Sequence, residues 1–253
     1  MKLIISVFII LIILSSSIVV AQQTRLNDYN TISWNAVFLN FSIDEKLSVH
    51  GEFQLRRSDF LVNPQQNLYR FGINYKLHEQ VVFRLGGAFA DTYPYGKVPI
   101  QASARLFPEY RSFQMLQLSN PLGKINLTHR FMLEQRWVGR FTKQGVSKAD
   151  DYVFLNRVRY MARIDIPVNF NENQKSKPYL AAYDEIFIGF GKNVQQNVFD
   201  QNRFGILAGL KFNPKFRIEG GYVDQTLQFG RLIDAKPVFQ YNRGLIINSY
   251  ISL

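Results

Sequence analysis

The stretch that most constrains this chain is Ile125 to Phe141, INLTHRFMLEQRWVGRF. Taken two residues at a time, Ile125, Leu127, Phe131, Leu133, Trp137 and Phe141 fall on one side. Asn126, Thr128, Arg130, Glu134, Arg136 and Arg140 fall on the other. A strand sends alternate side chains to opposite faces, so this is a two-faced strand. It is far longer than the roughly 5–6 residues usual in globular sheets. A soluble sandwich buries the apolar face of such a strand and wets the polar one. A transmembrane barrel turns the apolar face to lipid and lines its interior with the polar one. The rest of the chain has to decide which solvent meets the apolar face.

The same rhythm recurs in Thr31–Phe41, Lys46–Arg57, Asn67–Leu77, Val81–Thr92, Leu106–Asn120, Asp151–Pro167, Tyr179–Gly191, Asp200–Phe212, Phe216–Phe229 and Val238–Leu253. In the first of these Ile32, Trp34, Ala36 and Phe38 share a face. Tight turns at 44–45, 78–80, 121–124 and 213–215 alternate with longer loops at 58–66, 93–105, 142–150, 192–199 and 230–237, the 169–177 link being intermediate. Short turns on one rim and long loops on the other are the pattern of an outer-membrane barrel. Eleven strands are legible, but single-chain bacterial barrels use even numbers. The sequence therefore predicts an all-β, antiparallel transmembrane β-barrel of about 12 strands (10–12), with residues 22–30 contributing to the missing one. No loop stands out as a plug.

The N-terminus, MKLIISVFIILIILSSSIVVAQQ, places Lys2 before an apolar run and small residues, Val19 and Ala21, before Gln22. That is the layout of a cleaved signal peptide over residues 1–21, preferred to a spanning helix because the chain turns polar at once. Residues 22–253 then form a single barrel domain in the outer membrane of a Gram-negative bacterium. There is no cysteine, which excludes disulfides, thiolate metal sites and a cysteine nucleophile. Lys and Arg number 30 against 19 Asp and Glu, a net charge of +11. In an exported protein that excess points to anionic lipid or an anionic solute, and not to nucleic acid. The 22 Phe and 13 Tyr suit the aromatic girdles of a membrane barrel. The apolar alternation of the last segment, Leu245, Ile247, Ile251 and Leu253, resembles the signal read by barrel-assembly machinery.

A set of ordered local pieces runs through most of the chain. They are Glu52-x-x-x-Arg56, Tyr69-Arg70-Phe71-Gly72-x-x-Tyr75, Glu109-x-Arg111-x-x-Gln114, Arg130-x-x-x-Glu134-Gln135-Arg136, Arg157-x-Arg159-Tyr160, Glu185-x-Phe187, Gln201-Asn202-Arg203 and Glu219-x-Gly221-Tyr222. In order and spacing they resemble the outer-membrane β-barrel proteins catalogued as domain of unknown function 2490. The resemblance spans residues 34–250. It implies an outer-membrane barrel and supplies no reaction, cofactor or catalytic residue.

If the apolar faces point outward, Glu52, Arg56, Arg70, Arg84, Glu109, Arg111, Arg130, Glu134, Arg136, Arg157, Arg159, Arg163, Asp165, Arg203, Arg217 and Glu219 point inward. Facing lipid at mid-depth, each such charge costs roughly 2–4 kcal/mol, which decides the orientation. Charges of both signs meeting across a narrow bore form ion pairs, with arginine forks bridging carboxylates. The expected role is a non-enzymatic outer-membrane protein whose lumen is a structural charge network or a narrow anion-preferring pore. Two other readings remain. One is an outer-membrane enzyme acting on lipid or lipopolysaccharide, with His50 beside Glu52 as its only candidates. The other is a soluble periplasmic or secreted lipocalin-like barrel. No Gly-x-Ser-x-Gly elbow, His-x-x-x-His pair or acidic calcium loop is present.

Overall fold

Two-residue alternation persists along the chain and closes the sheet on itself. The computed structural model describes residues 25–168 and 176–253. The signal peptide expected at 1–21 and most of the 169–177 link lie outside them. The strands are β1 (Leu26–Ser42), β2 (Leu47–Ser58), β3 (Asn63–His78), β4 (Val81–Thr92), β5 (Phe107–Leu122), β6 (Ile125–Arg140), β7 (Asp151–Pro167), β8 (Lys177–Phe190), β9 (Phe199–Asn213), β10 (Phe216–Ile233) and β11 (Lys236–Ser252). Each pairs antiparallel with its sequence neighbours, and β1 joins β11 to close the barrel.

The strand count corrects the expectation of 12. Residues Leu26–Asn30 lengthen β1 and add no strand. With 11 strands the first and last run the same way, and the closing seam is parallel from Leu26↔Val238 to Asn40↔Ser252. A parallel ladder satisfies backbone donors and acceptors as an antiparallel one does, with slanted bonds. Closure therefore does not require even parity.

The pleat sends the large apolar side chains outward. Phe71 is 64% exposed, Ile73 58%, Leu85 55% and Ile206 53%. β1 departs from the face assignment that its sequence suggested. Ile32, Trp34 and Ala36 are buried inside, while Val37, Leu39 and Phe41 face out. This strand is apolar on both faces, so alternation alone does not tell the lumen side from the outside. Inside, Ile32, Trp34, Ala181, Leu207, Val223 and Ile246 pack together, and Phe113, Met115 and Met132 form a second apolar cluster. At the seam Gly244 has no room for a side chain, since a Cβ would lie 1.8 Å from the Ile32 carbonyl oxygen.

The two rims differ as expected, with three corrections, the first being that the loop expected at 58–66 shrinks to residues 59–62 because β3 already begins at Asn63. The connection expected as a long loop at 230–237 is a two-residue turn, Asp234–Ala235, with φ of 48° and 58°. Two positive φ values fit the hairpin turn that matches strand twist. The loop after β4, which the sequence did not mark out as a plug, turns inward. It folds over the mouth at the loop rim, burying Tyr95. The backbone N–H groups of Lys97 and Val98 donate to the Asp28 carboxylate at 3.3 and 3.4 Å. Arg231 holds the carbonyls of Ile100 and Pro99 at 3.1 and 2.6 Å, and Gln101 donates to the Gly139 carbonyl at 2.8 Å. Gly96 makes the close approach, with φ of 75° and a notional Cβ 2.4 Å from Asp28 Oδ2.

Candidate functional site

Cross-strand register brings opposite charges together on the inner face. Glu52 faces Arg70 across β2 and β3, and Arg70 Nη1 donates to Glu52 Oε2 at 2.5 Å. Glu134 faces Arg157 across β6 and β7. Arg157 donates from Nε and Nη2 to Glu134 Oε2 at 2.8 and 2.5 Å, while Arg159 Nη1 donates to Oε1 at 2.9 Å. Arg111 and Arg136 face each other across β5 and β6. Both fork onto Glu109, Arg111 at 2.7 and 3.0 Å and Arg136 at 2.5 and 3.1 Å. One carboxylate between two guanidinium groups relieves what would otherwise be like-charge repulsion.

Further strands extend the network. Glu185 Oε1 accepts from Arg159 Nη2 at 2.7 Å and Arg130 Nη2 at 2.9 Å. Arg157 Nη1 reaches Asp200 at 2.6 Å. Nearer the turn rim Arg163 bridges Asp165 and Glu219, both at 2.6 Å. Tyr179, Tyr250 and Asn248 also donate to Glu219 at 2.8, 2.8 and 3.0 Å. Glu134 and Glu219 are almost wholly buried. A buried charge persists only when paired and hydrogen-bonded, and these carboxylates meet that condition.

Four of the expected lining arginines have no carboxylate within 4 Å among the described residues. Arg84 donates to Asn74 at 2.6 Å. Arg217 lies 3.9 Å above the Tyr250 ring. Arg56 is bonded by Gln54 and Gln66. Among the described residues Arg203 is bonded by Gln201 alone, through Nε and Nη2 at 3.2 and 3.1 Å. Its register partner is Glu185, but that carboxylate is held by Arg159 and Arg130. Arg56 and Arg203 instead lie over the Trp34 ring, 4.3 and 5.2 Å from its centre.

The lumen holds two cavities. The one at the loop rim has a volume of about 430 Å³ and the one at the turn rim about 490 Å³. Arg56, Arg70, Arg159 and Arg203 line both, and so form a waist between them. Tyr95 roofs the upper cavity, where burial pushes its phenol up to about 12 and keeps it neutral.

The lining expected from sequence is thus largely assembled, with some additions. Glu185 and Asp200 are members that the inward-charge pattern omitted. Glu185 was available from the alternation Ala181, Tyr183, Glu185, Phe187. Asp200 was not, because a register shift between Phe187 and Ile188 brings it inward beside Gln201. Arg140 lies at the exposed rim, paired with Asp151 at 2.7 Å. His50 Nε2 is buried with no hydrogen-bond partner, 3.5 Å from Glu52 Oε2. Outside the lumen His129 Nδ1 meets the Tyr160 hydroxyl at 2.8 Å. No cluster of three or more metal-ligating side chains occurs among the described residues.

No curated protein matches the chain. A family model described as "protein of unknown function (DUF2490)" matches residues 31–231.

Proposed function

The chain belongs to that DUF2490 family, and on this footing we propose that it is an integral outer-membrane β-barrel without enzymatic activity. Its lumen is braced by arginine–carboxylate pairs and leaves at most a narrow, anion-preferring path. The observation that carries the reading is the inversion of the wall: the large apolar side chains face out and the buried charges face in. Water would penalise such an exterior, whereas acyl chains do not. Aromatic rings support the membrane placement. Phe53, Tyr69, Phe89, Tyr110 and Tyr152 form a run with successive centroids 5.0, 6.3, 5.2 and 5.8 Å apart. Such belts sit where a barrel wall crosses from lipid to headgroup. The partners are then outer-membrane lipid and, during biogenesis, the assembly machinery that would read β11. An anionic solute is the third.

The brace favours a structural lumen over a wide pore, since paired side chains on strands from β2 to β10 fill the inner face. The enzymatic reading has less support. Glu52, the base partner that His50 would need, already accepts from Arg70 and Gln54, each at 2.5 Å. Two measurements test the proposal. The mature protein should fractionate with outer membrane and change gel mobility on heating. In planar bilayers it should give only small, anion-selective conductance. Recovery as a soluble periplasmic protein overturns the membrane reading, and a large or cation-selective current overturns the braced lumen.

A further inference from the structure

The charge balance at the waist is incomplete. Arg56 is 6% exposed, and its bonded partners are neutral amides. Arg203 reaches the same indole from the far side of the seam, with β10 and β11 between its strand and that of Trp34. Its Nη1 makes no hydrogen bond among the described residues, and Arg70 Nε is also unpartnered. Two guanidinium groups sharing one ring repel each other, and enclosed cations without a carboxylate call for a counter-ion. Guanidinium forks match the planar or tetrahedral oxygens of carboxylate, sulfate and phosphate. Gln65, Gln66, Gln201 and Gln225 stand nearby as amide donors and acceptors. The upper cavity, at about 430 Å³, falls in the range of roughly 300–1,000 Å³ typical of small-ligand sites.

We propose that the waist, between Arg56 and Arg203 beside Trp34, is a binding site for a small solute carrying an oxyanion group. This deepens the anion preference proposed above for the lumen and rests on it. The solute is free in water and is not a lipid headgroup, because acyl chains stay outside a closed wall while the waist lies within it. Trp34 is the built-in reporter. The chain has two tryptophans, and Trp137 faces outward, so Trp137→Phe leaves Trp34 alone to report.

The experiment titrates this variant, refolded in zwitterionic detergent, with inorganic phosphate or sulfate at ionic strength held constant with chloride. Saturating change in Trp34 emission is expected, with the midpoint raised at least tenfold by Arg203→Gln and by Arg56→Gln. Lys215→Gln, in the exposed turn between β9 and β10, should leave the midpoint in place. Heat-shifted gel mobility identifies folded samples. If Arg203→Gln fails to fold, Arg203→Lys, which keeps the charge but loses the fork, should still weaken binding. A response that does not saturate overturns the site, as does one matched by chloride or unchanged in a folded Arg203 variant. A silent bilayer with intact binding removes the conducting path and leaves the site. Loss of membrane partitioning removes the outer-membrane reading.

Discussion

Glu134→Gln is the sharpest test of the brace. Glu134 is fully buried and accepts three hydrogen bonds, two from Arg157 and one from Arg159. The substitution keeps volume and shape and removes one negative charge. Arg157 keeps Asp200 at 2.6 Å and Arg159 keeps Glu185 at 2.7 Å, so neither is stranded. Removing one partner of a buried ion pair costs about 3–5 kcal/mol, and the retained partners place this case near the lower end. With a urea dependence of about 3 kcal/mol per molar, a loss of 3 kcal/mol lowers the unfolding midpoint by about 1 M. The assay is reversible urea unfolding of the refolded barrel in phospholipid vesicles, followed by tryptophan emission and gel mobility. Glu134→Gln combined with Arg157→Gln restores the net charge of the cluster and should recover part of the loss, since Asp200 keeps Arg136 Nη1 at 3.8 Å. A midpoint within about 0.2 M of the parent, well under the predicted 1 M, would show that the network does not brace the wall.

Three other outcomes follow from the same geometry. Phe71→Arg puts a charge on an outward position that is 64% exposed, and should cost about 2–4 kcal/mol in vesicles; equal stability would argue against lipid on that face. Replacing residues 97–104 by a short glycine–serine link removes the N–H donors to Asp28 and the carbonyls held by Arg231. Single-channel conductance should rise severalfold, and an unchanged current would mean that the loop is not the constriction. Gly244→Ala forces a Cβ to within 1.8 Å of the Ile32 carbonyl oxygen, whereas at Gly220 the nearest atom lies at 3.4 Å. The first should abolish the heat-shifted gel form and the second preserve it.

Strands with one apolar and one charged face were fully legible in the sequence. In β6, Phe131, Leu133 and Trp137 face out, and Glu134 and Arg136 face in, as the alternation requires. Most of the site was legible with them, because register partners such as Glu52 and Arg70 inherit their side from the pleat. Legibility failed where the period-two rule carries no sign or is interrupted. β1 has apolar residues on both faces, so Trp34 could not be assigned to the lumen. The register shift at Phe187 hid Asp200. The inward fold of residues 93–106 depends on contacts with β1, β6 and β10, more than 30 residues away in sequence, and no local pattern encodes them. The choice of neutral partners for Arg203 follows from competition for Glu185, which depends on three strands at once.

The parallel seam gives the strand count a topological consequence. β1 runs from the loop rim to the turn rim, and β11 does the same, so Leu26 and Ser252 lie at opposite rims. A 12-stranded barrel would begin and end at the same rim, because an even number of antiparallel steps returns the chain to its starting side. The absence of cysteine makes this distinction measurable. Arg25→Cys precedes β1, Ser147→Cys lies in the exposed loop between β6 and β7, and Lys215→Cys lies in the turn between β9 and β10. A membrane-impermeant maleimide applied to intact cells should label the first two at similar rates and spare the third until the cells are opened. Labelling of Arg25→Cys together with Lys215→Cys, and apart from Ser147→Cys, would place the start of β1 at the turn rim. That result would break the parallel seam and restore an even barrel.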